Sequence, residues 1–133
     1  MTYLLDTSAI SALMRADPRM ESWLSSIGLE DRVVISTIAR GEILFGLERL
    51  ALGRRRTELR EKAERLFAVL PCEPIPPAAG DRYAHVKISQ LERGVPLDEN
   101  DLWIAANALV MDATLVSRDS DFRRIEGLAV VVP

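Results

Sequence analysis

A single cysteine, Cys72, leaves this chain of 133 residues without an internal disulfide and without a thiolate cage for zinc. One histidine, His85, likewise excludes a histidine metal cluster and reads as a surface or structural side chain rather than part of a His-dependent triad. No apolar run approaches the roughly 20 residues that a membrane-spanning helix needs. The opening Tyr3-Leu4-Leu5 meets Asp6 at once, which argues against a signal or transit peptide. These absences together lead us to expect a soluble cytoplasmic protein with no membrane partner. Lysine is also scarce: Lys62 and Lys87 stand against fifteen arginines. Arginine's planar fork suits phosphate, although a GC-rich genome yields the same bias.

Repeats, low-complexity tracts and shifts of composition are absent, so residues 1–133 are expected to form one domain. A chain of this length can bury a real core without staples. Its 48% apolar and 28% charged content is that of an ordinary globular protein. The net charge of −3 at first argues against a nucleic-acid partner. Its distribution matters more than its sum. If Asp6, Glu42, Asp101, Asp119 and Asp121 gather in one site, they account for −5 and leave +2 on the remainder.

Short apolar or β-branched runs predict strands at Tyr3–Leu5, Arg32–Ser36, Thr114–Ser117 and Ala129–Val132, with an edge strand around Glu73–Ile75. Helical spacing covers Ser8–Met14, and Asp17-Pro18 opens another helix. A long helix is expected from Thr37 to Leu52, closed by Gly53. Further helices follow at Arg54–Leu70, Ala78–Arg93 and Glu99–Met111, the last capped by Asp98, with a helical turn at Ser120–Arg124. Alternating strands and helices imply an α/β fold: a central parallel sheet of four to five strands flanked by helices on both faces. In such sheets, sites form at the carboxyl ends of the strands.

The acids fall at those ends. Asp6 follows the first strand directly, and Asp119 and Asp121 lie just past the fourth. Glu42 occupies the second turn of the helix leaving the second strand, and Asp101 the first turn of the helix feeding the fourth. Asp101 is in line with Ile104, Ala105 and Ala108, a stripe that should face the core, so it needs donors, a proton or a cation. Gly41 and Gly46 flank Glu42, which suggests close approach of another backbone or a ligand. Converging carboxylates repel one another unless a cation compensates. Oxygen-only ligands favour Mg²⁺ or Mn²⁺, and phosphodiester hydrolysis uses such an ion most directly. Each acid also has a simpler reading: Asp6 as a helix cap, Asp101 as a first-turn acid, Glu42 as a surface acid, Asp119 and Asp121 as turn residues.

Four segments resemble PIN domains. They are Leu4-Leu5-Asp6-Thr7-Ser8, Ser36 to Gly46 (containing Arg40-Gly41-Glu42), Asp101-Leu102-Trp103-Ile104-Ala105-Ala106, and Leu115 to Leu128. Together they span almost the whole chain in order, and the length and the tail around Asp121-Phe122-Arg123-Arg124-Ile125 are similar to VapC-type toxins. The chain departs in ending on Val132-Pro133, where many relatives carry an aromatic residue. The resemblance implies a PIN-like fold and a metal-dependent endoribonuclease leaving 5′-phosphates. It implies Asp6, Glu42, Asp101 and Asp119 as catalytic, metal-holding acids, with Asp121 as an additional ligand or an acid just behind the ligands, and Ser8 and Ser117 as residues orienting ligands or water. It also implies Mg²⁺ or Mn²⁺ as cofactor, RNA as substrate, a homodimer, and a small cognate antitoxin whose C-terminal segment fills the active-site groove, which makes a hetero-oligomer.

Other residues carry weaker signals. Arg118, beside Asp119, and the run Arg54-Arg55-Arg56 are candidates for RNA phosphate. Trp103 and Phe45 are expected in the core rather than as stacking platforms. Leu44, Leu47, Leu50 and Leu52, with Leu59, Leu66 and Phe67, suit either core or a groove for a partner helix. A receiver-type phosphoacceptor would need a lysine after the last strand, and a phosphatase with an Asp-x-Asp nucleophile an acid at Ser8; neither is present. A catalytically silent PIN-like module that binds RNA or protein is the alternative.

Overall fold

A computed structural model describes all 133 residues. Five strands, β1 (Thr2–Leu5), β2 (Arg32–Ser36), β3 (Cys72–Glu73), β4 (Thr114–Val116) and β5 (Val130–Val131), form one wholly parallel sheet. Six helices accompany them: α1 (Thr7–Met14), α2 (Pro18–Ser25), α3 (Thr37–Glu48), α4 (Arg54–Val69), α5 (Ala78–Glu92) and α6 (Glu99–Val110). A 3₁₀ turn covers Ser120–Arg124.

The strand order is β3-β2-β1-β4-β5. The chain therefore runs outward from β1 through β2 to β3, then returns to place β4 on the other side of β1. This reversal makes the β1–β4 seam a topological switch point. Right-handed crossovers put α1 to α4 on one face and α5 and α6 on the other. The packing agrees: α1 touches α2, α3 and α4, while α5 lies along α6. With both faces covered, Leu4, Leu5, Leu115 and Val116 lose all exposure, as parallel sheets require.

Local chemistry explains most element boundaries. Asp6, Asp17 and Ser36 each accept an amide proton from the third residue on, capping α1, α2 and α3. Most boundaries fall within one residue of the sequence expectation, and the larger differences lie around α3, Gly53 and the edge strand. Helix α3 stops at Glu48 rather than Leu52, leaving Leu52 86% exposed. Gly53 does not close that helix; at φ 152° it precedes α4, whose Thr57 hydroxyl and amide both donate to its carbonyl. The edge strand is Cys72–Glu73 and ends before Pro74, which has no amide proton to extend the ladder. Asp98 does stand before α6, but its side chain makes no capping bond.

Candidate functional site

Asp6 leaves β1 at the switch point, where its own amide donates to the Val116 carbonyl of β4 at 3.0 Å. The residue is only 3% exposed, so its carboxylate must be satisfied within the chain. Oδ1 accepts from the Ala9 amide at 2.8 Å and the Ser8 hydroxyl at 2.7 Å. Oδ2 accepts from the Ser117 hydroxyl at 2.5 Å. The capping reading of Asp6 is thus correct, and it coexists with a place at the centre of the rim.

The two serines do a second task. Ser8 Oγ accepts the Arg118 amide at 2.9 Å, and Ser117 Oγ accepts the Asp119 amide at 2.9 Å. Their oxygens lie 3.3 Å apart. The loop after β4 is therefore hung on the same pair of hydroxyls that holds Asp6. Asp119 then turns the chain, with Oδ1 accepting from the Asp121 amide at 2.9 Å.

From the neighbouring helices, α3 and α6 bring Glu42 and Asp101. Glu42 is half-buried and its Oε1 accepts from the Thr7 hydroxyl at 2.6 Å. Asp101 is half-buried above Ile104, Ala105 and Ala108, which are fully enclosed. Burial first, then the charges of Asp6, Glu42, Asp98 and Asp119, push the Asp101 carboxyl up to about 6. Burial also pushes Asp6 up, against the pull of Ser117, Ser8 and the Ala9 amide, while the Asp119 charge adds to the push. These mutual effects place Asp6, Glu42, Asp101 and Asp119 in one electrostatic neighbourhood. Asp98, which sequence reasoning treated only as a cap, belongs to it as well. None of the four acids takes part in any of the seven ion pairs of the chain.

The Asp121 carboxylate faces Arg124 at 3.7 Å across the 3₁₀ turn. No three His, Cys, Asp or Glu side chains are drawn to a single point that would enclose an ion. The acids line the rim as a set rather than as a closed cage. Their donors are all carboxylate oxygens, the ligand type that Mg²⁺ and Mn²⁺ take.

The basic candidates are less available than their sequence positions suggest. Arg118 turns from the rim, donating to Asp17 Oδ2 at 3.2 Å and to the Pro133 carbonyl at 2.9 Å. Arg56 is bound to Glu48 at 2.9 Å, leaving Arg54 and Arg55 as the exposed members of their run. Between α1, α3 and α4 runs a groove of about 260 Å³, lined by Met14, Ile43, Leu47, Leu50 and Leu59 and reaching Glu42. Leu44, Leu52, Leu66 and Phe67, also proposed for such a groove, do not line it.

Phe45, expected in the core, is 63% exposed. A Cβ at Gly41 or Gly46 would meet no atom within 4 Å, so of the two reasons offered for these glycines the close approach of another backbone of the chain is overturned. Trp103 is half-buried, stacked on Tyr83 with ring centroids 4.0 Å apart and planes 7° from parallel. His85 lies on the exposed side of α5, away from the acids. Thr7 is the contributor that sequence reasoning missed: it stands in the quoted Asp-Thr-Ser run, but nothing local shows that it reaches a residue 35 positions away.

Residues 3–128 match the family described as PIN domain. Ribonuclease VapC1 of Haemophilus influenzae strain R2866 is 34% identical, with 96% of this chain and 95% of that protein covered. Among solved structures, VapBC-1 from nontypeable Haemophilus influenzae superposes with TM-score 0.85 at 27% identity, covering 98% of this chain and 97% of that one. VapBC2 from Rickettsia felis, bound to a DNA fragment from their promoter, reaches TM-score 0.90 at 21% identity, covering 98% of each chain, and shares the fold.

Proposed function

The chain belongs to the PIN-domain family, and from that premise we propose that it is a divalent-metal-dependent endoribonuclease, the toxin of a VapBC-like toxin–antitoxin pair. The observation that carries the reading is the buried Asp6 at the β1–β4 switch point, joined by Glu42, Asp101 and Asp119, none of which is ion-paired within the chain. The ribonuclease name of a relative matching nearly end to end supports it.

In this reading Asp6, Glu42, Asp101 and Asp119 would hold Mg²⁺ or Mn²⁺, and Asp121, which faces Arg124, would act through water. Such an ion supplies charge neutralisation at a phosphoryl oxygen and an activated water. The chain's own residues supply position. Ser8 and Ser117 keep both oxygens of Asp6 aimed and fix the start of the Asp119 turn. Thr7 fixes one oxygen of Glu42. Asp101, whose carboxyl is raised by burial and the neighbouring acids to about 6 in the metal-free chain, is an acid that a bound cation would hold ionised. The substrate is RNA, and of the basic candidates singled out in the sequence Arg54 and Arg55 are the two without an ion-pair partner to keep them from its phosphates.

The groove between α1, α3 and α4 is where we place the segment of the small antitoxin, because its apolar walls run directly to Glu42. A homodimer bound to that antitoxin is the expected assembly. No helix is long and apolar enough to cross a membrane.

The test is cleavage of total cellular RNA by purified, partner-free protein with Mg²⁺, Mn²⁺ or EDTA, alongside Asp101→Asn. Discrete products that need metal and vanish in the variant support the nuclease. No cleavage with either metal returns the chain to the alternative, a silent module that binds RNA or protein.

A further inference from the structure

A second groove opens on the other side of Glu42, about 610 Å³ in volume, between the outer face of α3 and the start of α6. Its wall carries Phe45, whose phenyl ring is largely exposed. The Arg49 guanidinium carbon lies 5.6 Å from the centre of that ring. Glu42, Phe45 and Arg49 fall three and seven residues apart, so they form one stripe along the helix. The exposed Asn100 amide and the Thr37 hydroxyl border the same space.

We infer that Phe45 and Arg49 form a nucleobase subsite, which stacks the base of a nucleotide next to the phosphodiester held at the Glu42 end of the groove. The inference rests on the ribonuclease reading for its substrate and adds a specificity-determining position to it. Four features favour a base as the occupant. A flat aromatic ring beside a planar cation offers stacking to any base. The groove is continuous with the acidic rim through Glu42, so a strand crossing the rim has its neighbouring base within reach. Gly41 and Gly46 leave the floor bare where side chains would fit without touching anything, so the chain's own packing does not require them. Asn100 offers both a donor and an acceptor to a base edge.

Two measurements test this separately from the nuclease reading. In the first, uncleavable 2′-O-methyl oligonucleotides are bound in EDTA at fixed salt by wild type, Phe45→Ala, Phe45→Tyr and Arg49→Gln. Stacking predicts about five- to a hundredfold weaker binding for Phe45→Ala, recovery in Phe45→Tyr, and no Phe45 dependence for an abasic oligomer of equal length. In the second, Phe45→Trp should show tryptophan quenching with base-bearing oligomers and none with the abasic one. Phe45 is exposed, so its truncation leaves the core intact, which thermal unfolding checks.

Phe45-dependent binding without metal-dependent cleavage overturns the nuclease and keeps the subsite. Normal cleavage with the same KM and cut sites in Phe45→Ala overturns the subsite and assigns the groove to a protein partner. Failure of the wild type to bind any oligomer in EDTA overturns the subsite, whereas only the absence of metal-dependent cleavage overturns the nuclease.

Discussion

Ser117 Oγ lies 2.5 Å from Asp6 Oδ2 although 111 positions separate the two residues. The bond closes the seam between β1 and β4, and the same oxygen accepts the Asp119 amide. One hydroxyl thus aims one acid and sets the backbone that presents another.

Ser117→Ala should therefore do two kinds of damage. It leaves a buried carboxylate oxygen short of a donor and an amide short of an acceptor, a loss of about 1–3 kcal/mol. Urea unfolding should show that loss, and cleavage by the folded variant should fall at least about tenfold because Asp119 is no longer positioned. Unchanged stability would mean that Ser8 alone satisfies Asp6.

Asp101→Asn should reveal the repulsion at the rim through its pH dependence. A carboxyl raised on folding, here from 3.8 to about 6, costs stability once it ionises. The cost is absent below pH 4, grows as pH climbs through that window, and is complete above about pH 6. For a half-exposed group screened by solvent it amounts to on the order of 1 kcal/mol. Urea midpoints in EDTA should match for wild type and variant at pH 4 and favour the variant at pH 7. Millimolar Mg²⁺ should narrow the gap by stabilising only the wild type. An advantage that is the same at both pH values would contradict repulsion among the acids.

Asn107→Leu should stabilise the fold. Asn107 has no exposure, and both its amide nitrogen and oxygen lack a hydrogen-bond partner. Replacing an unpaired buried amide with an apolar chain of similar size should add about 1–2 kcal/mol, seen as a higher melting temperature. A lower melting temperature would show that a bound water serves that amide.

Much of the architecture was legible before any coordinates. The alternation of β-branched runs with amphipathic helices gave the parallel sheet, and four of the acids lie where the strand-end rule put them. Caps such as Asp6 and Ser36 act over three residues, so their effect is written locally. The errors have an equally physical origin. Helical spacing marked Phe45 as apolar but could not say whether anything packs over it. It extended α3 to Leu52 because Leu50 and Leu52 continue the apolar pattern, while the structure ends the helix before a glycine with positive φ.

Arg118 shows the limit most clearly. Adjacent to Asp119 in the chain, it turns instead to Asp17, 101 residues away. Local signals such as capping, β-branching and apolar period are short-ranged, so residue order alone specified the elements, their sequence and the acids at their ends. Which of those acids share a field, which hydroxyls hold them, and which apolar rings stay uncovered depend on contacts between distant segments. Only the packed sheet, with β4 returned to the side of β1, creates them.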